Sequence, residues 1–259
     1  MNPAPDKVSI VTSSWDDDDR TNLKVAELLA ARNLRGTFYV TSGGLGKSSA
    51  LSASELRCFS DAGFEIGAHT VSHPVLSKLN RRDLVREVGE CKNVLEEVLG
   101  RGVTSFAYPK GRYNADVIAE VKQAGYHCAR GVRLLSTSYD FPAFEMPITV
   151  QAYPHRRTSY VKNLVRRREV AALLRASRLI ADSNGWVALG KALFDRVLRD
   201  GGAWHLCGHS WQTEKIAGWS ELEEMLDYVS GHADQGVQYL TNAELFQRTC
   251  SQRTTPATR

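Results

Sequence analysis

Short apolar segments alternate with amphipathic segments over most of the chain. Apolar positions three and four residues apart predict helices, most clearly at 22–32, 80–99 and 220–230. Runs rich in β-branched and aromatic residues predict strands at 8–15, 36–41, 64–68, 103–107, 126–130, 203–207 and 237–240. Strands joined by helical crossovers pair in parallel, so the pattern predicts an α/β fold, built as an open sheet or a barrel.

Signals for helix boundaries agree with this alternation. Ser52 and Glu55 form the Ser-x-x-Glu pattern of a capping box at the start of a helix. The long helix from Asn80 is predicted to stop at Gly100, and Asn114 is predicted to cap the next helix.

The region 159–199 departs from the alternation. It predicts two helices with no strand between them, broken near Asn184. The last eleven residues, 249–259, are rich in Thr, Ser, Gln and Arg, which is typical of a disordered tail. We therefore predict a single domain over 1–248 with a helical insertion at about 159–199.

Composition and charge narrow the class of protein. Hydrophobic residues make up 42% of the 259 residues and charged residues 24%, which suffices for a sizeable core. A formal net charge of +4 is too small to indicate a nucleic-acid partner. No apolar stretch approaches the roughly 20 residues of a membrane span, and no secretory signal pattern is visible. With five scattered cysteines and no CxxC pair, we expect a cytoplasmic protein with free thiols.

The first predicted strand ends in four consecutive aspartates, at 16–19. Adjacent carboxylates repel one another, so such a run is either solvated or close to a cation. Asp18 and Asp19 are suited simply to cap the following helix. Asp16 and Asp17 lie at the carboxyl end of a strand, where parallel α/β folds bind ligands, and this favours a functional role for them.

Two histidines, His69 and His73, follow the third predicted strand. If the segment forms a helical turn, residues four apart lie on one face and both imidazoles can reach one ion. Imidazoles combined with a carboxylate suit zinc and related ions, and three protein ligands leave a coordination position open for catalysis.

Two later strand ends carry further candidates. After the fourth strand, Tyr108-Pro109-Lys110 begins a turn whose backbone N–H groups suit an oxyanion, although an ordinary connection explains it as well. After the late strand, His209 lies where a general acid would act, whereas His205 within that strand is more typical of a core histidine. Several aromatic residues lie near these strand ends in the sequence and could stack on sugar rings or pack in the core. For Trp204 we favour core packing. The residues are Trp15, Tyr108, Tyr113, Trp204 and Trp211.

The motifs WDD, GTFYV and GAHTVSHP together resemble the polysaccharide deacetylases of the NodB-homology group. This resemblance implies a distorted, incomplete (β/α) barrel and a single catalytic domain that removes N-acetyl groups from a sugar. It also implies that Asp16 is the catalytic base, that His209 is the general acid, and that one divalent metal binds Asp17, His69 and His73. Zinc is expected from this ligand set, while nickel, cobalt and manganese also fit it.

The chain departs from the family pattern at three positions. Asp18 stands where the family's first motif has Gly. Ala107 stands where its third motif has an Arg that contacts the catalytic Asp, and Arg112 is a candidate replacement. Gly208 is inserted in the late motif. We interpret the chain as a divergent branch of the family.

The predicted substrate is an N-acetylated sugar or glycan precursor, bound by residues of the turn and of the late motif. These are Tyr108, Pro109, Lys110, Arg112 and Trp211. A basic run at 156–168 is either a solvated helix face or a site that attracts a nucleotide- or lipid-linked sugar. Two other functions stay open, namely hydrolysis of a non-sugar amide or cyclic imide, and sugar binding without catalysis.

Overall fold

The strands form one parallel sheet in a computed structural model that describes residues 8–156, 158–160, 180 and 183–254. They are β1 (Ser9–Asp16), β2 (Thr37–Val40), β3 (Glu65–Ala68), β4 (Ser105–Ala107), β5 (Cys128–Arg130), β6 (Val150–Gln151), β7 (Gly202–Gly208) and β8 (Gln238–Tyr239). Their order is β5-β4-β3-β2-β1-β7-β6, and β8 pairs with the start of β1.

Helices follow most of the strands. They are α1 (Asn22–Ala30), α2 (Ala53–Asp61), α3 (Arg81–Leu99), α4 (Ala115–Gln123), α5 (Gly185–Asp200), α6 (Ser210–Gln212), α7 (Trp219–Ser230) and α8 (Asn242–Thr254). Within the described ranges, no helix combines the length and the apolar character needed to cross a bilayer.

The predicted helix caps are confirmed. The Ser52 side chain accepts a hydrogen bond from the Glu55 backbone N–H, and the Glu55 carboxylate accepts one from the Ser52 N–H at 2.7 Å. Asn80 and Asn114 cap α3 and α4 through their side-chain oxygens. Gly100 ends α3 with a φ of 66°, a conformation that glycine adopts without steric cost.

The sheet forms an incomplete, distorted barrel, as expected. Its edge strands β5 and β6 are not paired with each other among the described residues. The segment between them spans the gap, since the Met146 N–H donates to Ala129 O and the Thr149 N–H donates to His205 O, both at 2.9 Å. Strand β6 was not predicted, because its two residues are too few to show a periodic pattern.

Alternation along β1 separates an apolar face from a polar one. Val11 and Trp15 belong to the main hydrophobic core. The intervening Thr12, Ser14 and Asp16 are buried as well and point to the opposite face of the sheet. Their hydroxyls meet other polar groups there, because Thr12 bonds to Asn242 and Ser14 to His205, both at 2.8 Å. Asp16 therefore lies at the carboxyl end of a polar barrel interior.

The structure describes the predicted insertion and tail only in part. Helix α5 begins at Gly185, directly after Asn184, while most of 157–182 and of the basic run lies outside the described residues. Helix α8 continues to Thr254, so the first six residues of the predicted tail are helical rather than disordered. Thr249 is buried and its hydroxyl donates to Phe246 O, which anchors this turn in a way that composition does not reveal.

Candidate active site

The carboxyl ends of β1, β3 and β7 bring three of the candidate residues together. Asp16 Oδ2 lies 4.0 Å from His69 Nε2 and 3.9 Å from His209 Nε2. The carboxylate and the His69 ring are buried, whereas the His209 side chain is 20% exposed. Residues that are distant in the sequence therefore meet around one carboxylate, at the carboxyl edge of the sheet where we expected the site.

The other oxygen of Asp16 pairs with a buried arginine. Arg130, the last residue of β5, donates from Nη2 to Asp16 Oδ1 and is fully buried. Burial pushes the pKa of Asp16 upwards, but the charge of Arg130, helped by His69 and His209, outweighs it and lowers that pKa to about 2. Asp16 is therefore an anion at neutral pH.

Arg130 is not among the site residues predicted from the sequence. The candidate Arg112 is exposed, and among the described residues it forms no contact with Asp16. The resemblance places an arginine after the fourth strand, whereas the arginine that pairs with Asp16 here ends the next strand, β5. Arg130 lies at the carboxyl end of its strand like the other site residues, and this position is the sequence signal for it.

The histidine segment is an irregular loop, so the expected helical turn is wrong. Thr70 and His73 have φ values of 71° and 59°, a left-handed conformation that side chains with a Cβ rarely adopt. The Thr70 hydroxyl accepts a hydrogen bond from the His73 N–H at 3.0 Å, which tightens the loop. The loop still places the rings of His69 and His73 with their centroids 4.8 Å apart.

One oxygen of Asp17 faces both of these histidines. Asp17 Oδ1 is 4.0 Å from His69 Nε2 and 3.8 Å from His73 Nε2. The three donor atoms all lie within 4.8 Å of one another, so the triad can hold one metal ion. Asp17 itself has a φ of 75°, and its carbonyl accepts a hydrogen bond from Asn22 Nδ2 at 3.0 Å, which holds this strained backbone.

The protonation of His69 fits a metal ligand. Its Nδ1 lies 2.8 Å from the Ala107 carbonyl, which can only accept, so Nδ1 carries the proton and Nε2 keeps its lone pair. Burial, opposed by Asp16 and Asp17, lowers the pKa of His69 to about 4. Nε2 is buried, has no hydrogen-bond partner in the part of the chain that the structure describes, and faces the two carboxylates, which is the environment a cation would satisfy.

In the turn after β4, Tyr108 and Pro109 are not placed to bind a substrate as we expected. Tyr108 is fully buried, stacks on Tyr113 with centroids 4.4 Å apart and donates its hydroxyl to Phe144 O, so it cannot be a platform for a sugar ring. Its backbone N–H donates to Arg130 O at 3.2 Å and is not available to an oxyanion either. Pro109 has no N–H and is also buried.

One backbone N–H group of this turn, that of Lys110, could still bind an oxyanion. The N–H groups of Gly111 and Arg112 donate to Tyr108 O and Pro109 O, at 2.8 and 3.2 Å. Lys110, with a φ of 57°, is the remaining N–H donor of the turn. The Lys110 N–H is therefore the one candidate oxyanion donor in this turn.

The remaining aromatic and histidine candidates separate into core and site. Trp15 and Trp204 are buried, and His205 is fixed between Ser14 and the Pro147 carbonyl, which confirms the core interpretation of Trp204 and His205. Trp211, by contrast, is half-buried at the site and donates its indole N–H to Asp17 Oδ2 at 3.0 Å.

A cleft opens beside the triad. A volume of about 470 Å³ is lined by residues that include Asp17, Asp18, Trp211, Lys47 and Lys215. A neighbouring volume of about 370 Å³ shares Asp17, Asp18 and Lys47 and extends to His73. The two volumes share these walls beside Asp17 and His73, and we call them together the Trp211 groove.

A parallel half-barrel with a candidate metal triad at its carboxyl edge defines the class, and sequence comparison agrees with it. Residues 3–129 match the family model of the polysaccharide deacetylases. The chain is 23% identical over 117 residues to the "Putative polysaccharide deacetylase YxkH" of Bacillus subtilis (strain 168), a match that covers 45% of this chain and 42% of YxkH. The chain thus matches less than half the length of this relative.

Solved structures share the fold. A "putative polysaccharide deacetylase" from Mycobacterium smegmatis aligns with a TM-score of 0.66 at 17% identity, covering 99% of this chain and 95% of that one. A family 4 acetyl xylan esterase from Clostridium thermocellum, solved with a cobalt ion, aligns with a TM-score of 0.59 at 16% identity, covering 93% and 91%. The family match thus assigns residues 3–129, about half of the chain, to the polysaccharide deacetylases.

Proposed function

We propose that this chain is a metal-dependent hydrolase that removes N-acetyl groups from a sugar or glycan precursor and releases acetate. The observation that carries the proposal is the arrangement around Asp16, which has Arg130 on one oxygen and both His69 and His209 on the other. The family match supports the same activity. We further propose that residues 1–248 act as one catalytic domain and that the protein is cytoplasmic.

Asp17, His69 and His73 would hold the divalent metal. The donor set suits zinc, and it also accepts nickel, cobalt or manganese. The cobalt ion in the Clostridium thermocellum esterase supports a metal in this fold. When bound, such an ion supplies a Lewis acid that polarises the acetyl carbonyl and promotes ionisation of water.

Two residues would move protons. Asp16 is ionised at neutral pH and is the candidate base that takes a proton from the attacking water. His209, 3.9 Å from Asp16 on the side opposite Arg130, is the candidate acid that delivers a proton to the departing amine. The Lys110 N–H would stabilise the oxyanion between these steps.

We propose that the sugar carries a negative charge that meets two lysines of the Trp211 groove. Lys47 and Lys215 line this groove together with Asp17, Asp18 and Asp19, and neither lysine forms an ion pair with any residue that the structure describes. A nucleotide- or lipid-linked sugar would bring phosphate to these side chains. This observation supports the linked substrate independently of the basic run at 156–168.

The charge of the substrate can be tested at the two lysines. We expect Lys47→Gln combined with Lys215→Gln to raise KM for UDP-N-acetylglucosamine about tenfold, because exposed charge pairs contribute up to about 1 kcal/mol each. KM for neutral chitotriose should change less than twofold. Equal KM values for the linked sugar in wild type and double variant would contradict a role of these lysines.

Trp211 is proposed to hold Asp17 as well as to line the groove. Trp211→Phe keeps the ring and removes the N–H that binds Asp17 Oδ2. We expect its affinity for Zn²⁺, measured by competition with a chromophoric chelator, to fall about tenfold, as is usual when a partner of a metal ligand is lost. Trp219→Phe is the matched control, since the Trp219 indole bonds to exposed Glu214 rather than to a residue of the triad. If Trp211→Phe bound Zn²⁺ as tightly as wild type, Trp211 would line the groove without holding Asp17.

A substrate panel separates the proposed activity from the other two functions. Acetate or ring-opened product is measured for N-acetylated sugars, for simple acetamides and for cyclic imides, with the zinc-loaded chain and with Asp16→Asn as the blank. We expect release from sugars alone. Turnover of only amides or imides would replace the sugar assignment, and sugar binding without any turnover would identify a non-catalytic protein.

A further inference from the structure

The histidine loop is held in an unfavourable conformation. Thr70 and His73 both adopt left-handed φ values, and neither is glycine. Residues with a Cβ rarely keep such φ values unless contacts from elsewhere in the fold impose them. The position of His69 and His73 relative to Asp17 therefore depends on what binds the loop.

The contacts on the loop come from two sides. The N–H groups of Ser42 and Gly43 donate to Thr70 O and Val71 O, at 3.1 and 2.9 Å. On the other side, Glu87 of α3 binds the N–H groups. Its Oε2 accepts from Val71 N at 3.0 Å and from Ser72 N at 2.8 Å, while its Oε1 accepts from the Ser72 hydroxyl at 2.8 Å.

Glu87 is unusual among the acidic residues of α3 because its side chain is only 4% exposed. Its one ion pair in the described chain is with the half-exposed Arg86, at 3.6 Å. Three hydrogen bonds from the loop thus account for the burial of this carboxylate. All three come from Val71 and Ser72, two of the three residues between His69 and His73 in the sequence.

We propose that Glu87 is a positioning residue for the metal, which sets the affinity of the triad by fixing the backbone between its two histidines. The proposal rests on the proposed function, because it requires that Asp17, His69 and His73 bind the ion. Glu87 itself touches neither the triad atoms nor the Trp211 groove among the recorded contacts.

Two substitutions separate positioning from general stability. Glu87→Ala removes all three acceptor contacts and leaves the Val71 and Ser72 N–H groups unpaired. Glu87→Gln keeps the shape and one carbonyl oxygen for those N–H groups, and its amide can donate to the Ser72 hydroxyl. Glu90→Ala, at an exposed position on the same helix, is the matched control.

Zn²⁺ affinity is measured by chelator competition for each folded variant, together with the visible absorption of the Co²⁺-loaded protein, which reports ligand geometry. We expect Glu87→Ala to weaken Zn²⁺ binding 10–100-fold and to alter the Co²⁺ spectrum. Glu87→Gln should weaken binding about three- to tenfold, since bonds to a neutral acceptor are weaker. Glu90→Ala should match wild type.

Three results decide the proposal. Weaker binding in Glu87→Gln supports it even if Glu87→Ala does not fold. Wild-type affinity and spectrum in the folded Glu87 variants, with metal lost in His69→Ala, overturn the role of Glu87 and leave the metal site intact. Failure of the wild type to bind Zn²⁺ stoichiometrically overturns the metal site of the proposed function, and the Glu87 proposal with it.

Discussion

Asp16→Asn is expected to lower kcat for acetate release by 100- to 10,000-fold, the range associated with loss of a general base. An amide cannot take the proton that the carboxylate takes, yet its oxygen can still accept the hydrogen bond from Arg130. We therefore expect Zn²⁺ stoichiometry to stay close to that of wild type, while thermal stability falls because the buried Arg130 charge then faces a neutral partner. Initial rates at saturating substrate on zinc-loaded protein provide the measurement.

Asp61→Asn is the matched control for this substitution. Asp61 is exposed at the end of α2, before the amino end of β3, and pairs at 3.4 Å with Arg101. Its kcat should equal that of wild type. If Asp16→Asn kept more than a tenth of the wild-type kcat with its metal in place, Asp16 would not be the base.

Arg130→Met is expected to have the largest effect on stability. It leaves the buried Asp16 carboxylate without its partner, and breaking a buried pair from one side typically costs about 3–5 kcal/mol of unfolding free energy. Activity should fall as well, because burial without Arg130 raises the pKa of Asp16 and reduces the fraction of ionised base. Chemical denaturation of the metal-free proteins provides the measurement.

The free energy of unfolding should depend on pH differently in wild type and in Arg130→Met. In wild type the lowered pKa of Asp16 contributes stability that is present above the pKa of about 3.9 of an unfolded Asp and is lost as pH falls towards 2. In Arg130→Met the pKa of Asp16 is raised instead, so this carboxyl destabilises the fold as pH rises. The stability difference between the two proteins should therefore be greater at pH 7 than at pH 3.

Arg101→Met is the control for the loss of an arginine. Arg101 is half-exposed and pairs with Asp61 on the surface, so we expect it to cost less than about 1 kcal/mol. An equally small effect of Arg130→Met, unchanged between pH 3 and pH 7, would contradict the role assigned to the Asp16–Arg130 pair.

The sequence predicted those parts of the site that follow from local pattern and strand direction. Asp16, Asp17, His69 and His209 each follow or end a strand with a clear apolar pattern, and parallel strands bring such ends to one edge. The helix caps at Ser52, Asn80 and Asn114 are local signals in the same sense. For these features a few neighbouring residues determine the structure.

The rest depends on contacts between distant residues. Arg130 ends a predicted strand, but no neighbouring residue indicates that this side chain pairs with Asp16, 114 residues away. Likewise, Glu87 of α3 binds the histidine loop and helps to hold its left-handed backbone. The spacing of His69 and His73 suggested a helical turn because it carries no information about this contact. Burial decided against Tyr108 as a sugar platform, and burial is a property of the folded chain.

The most direct test of the account is acetate release from N-acetylated sugars by wild-type protein before chelation, after chelation and after reloading with Zn²⁺. The account predicts that release stops when the metal is removed and returns when one equivalent of Zn²⁺ per chain is restored, but not in His69→Ala. Release that continues unchanged after complete removal of metal would contradict the metal-dependent mechanism.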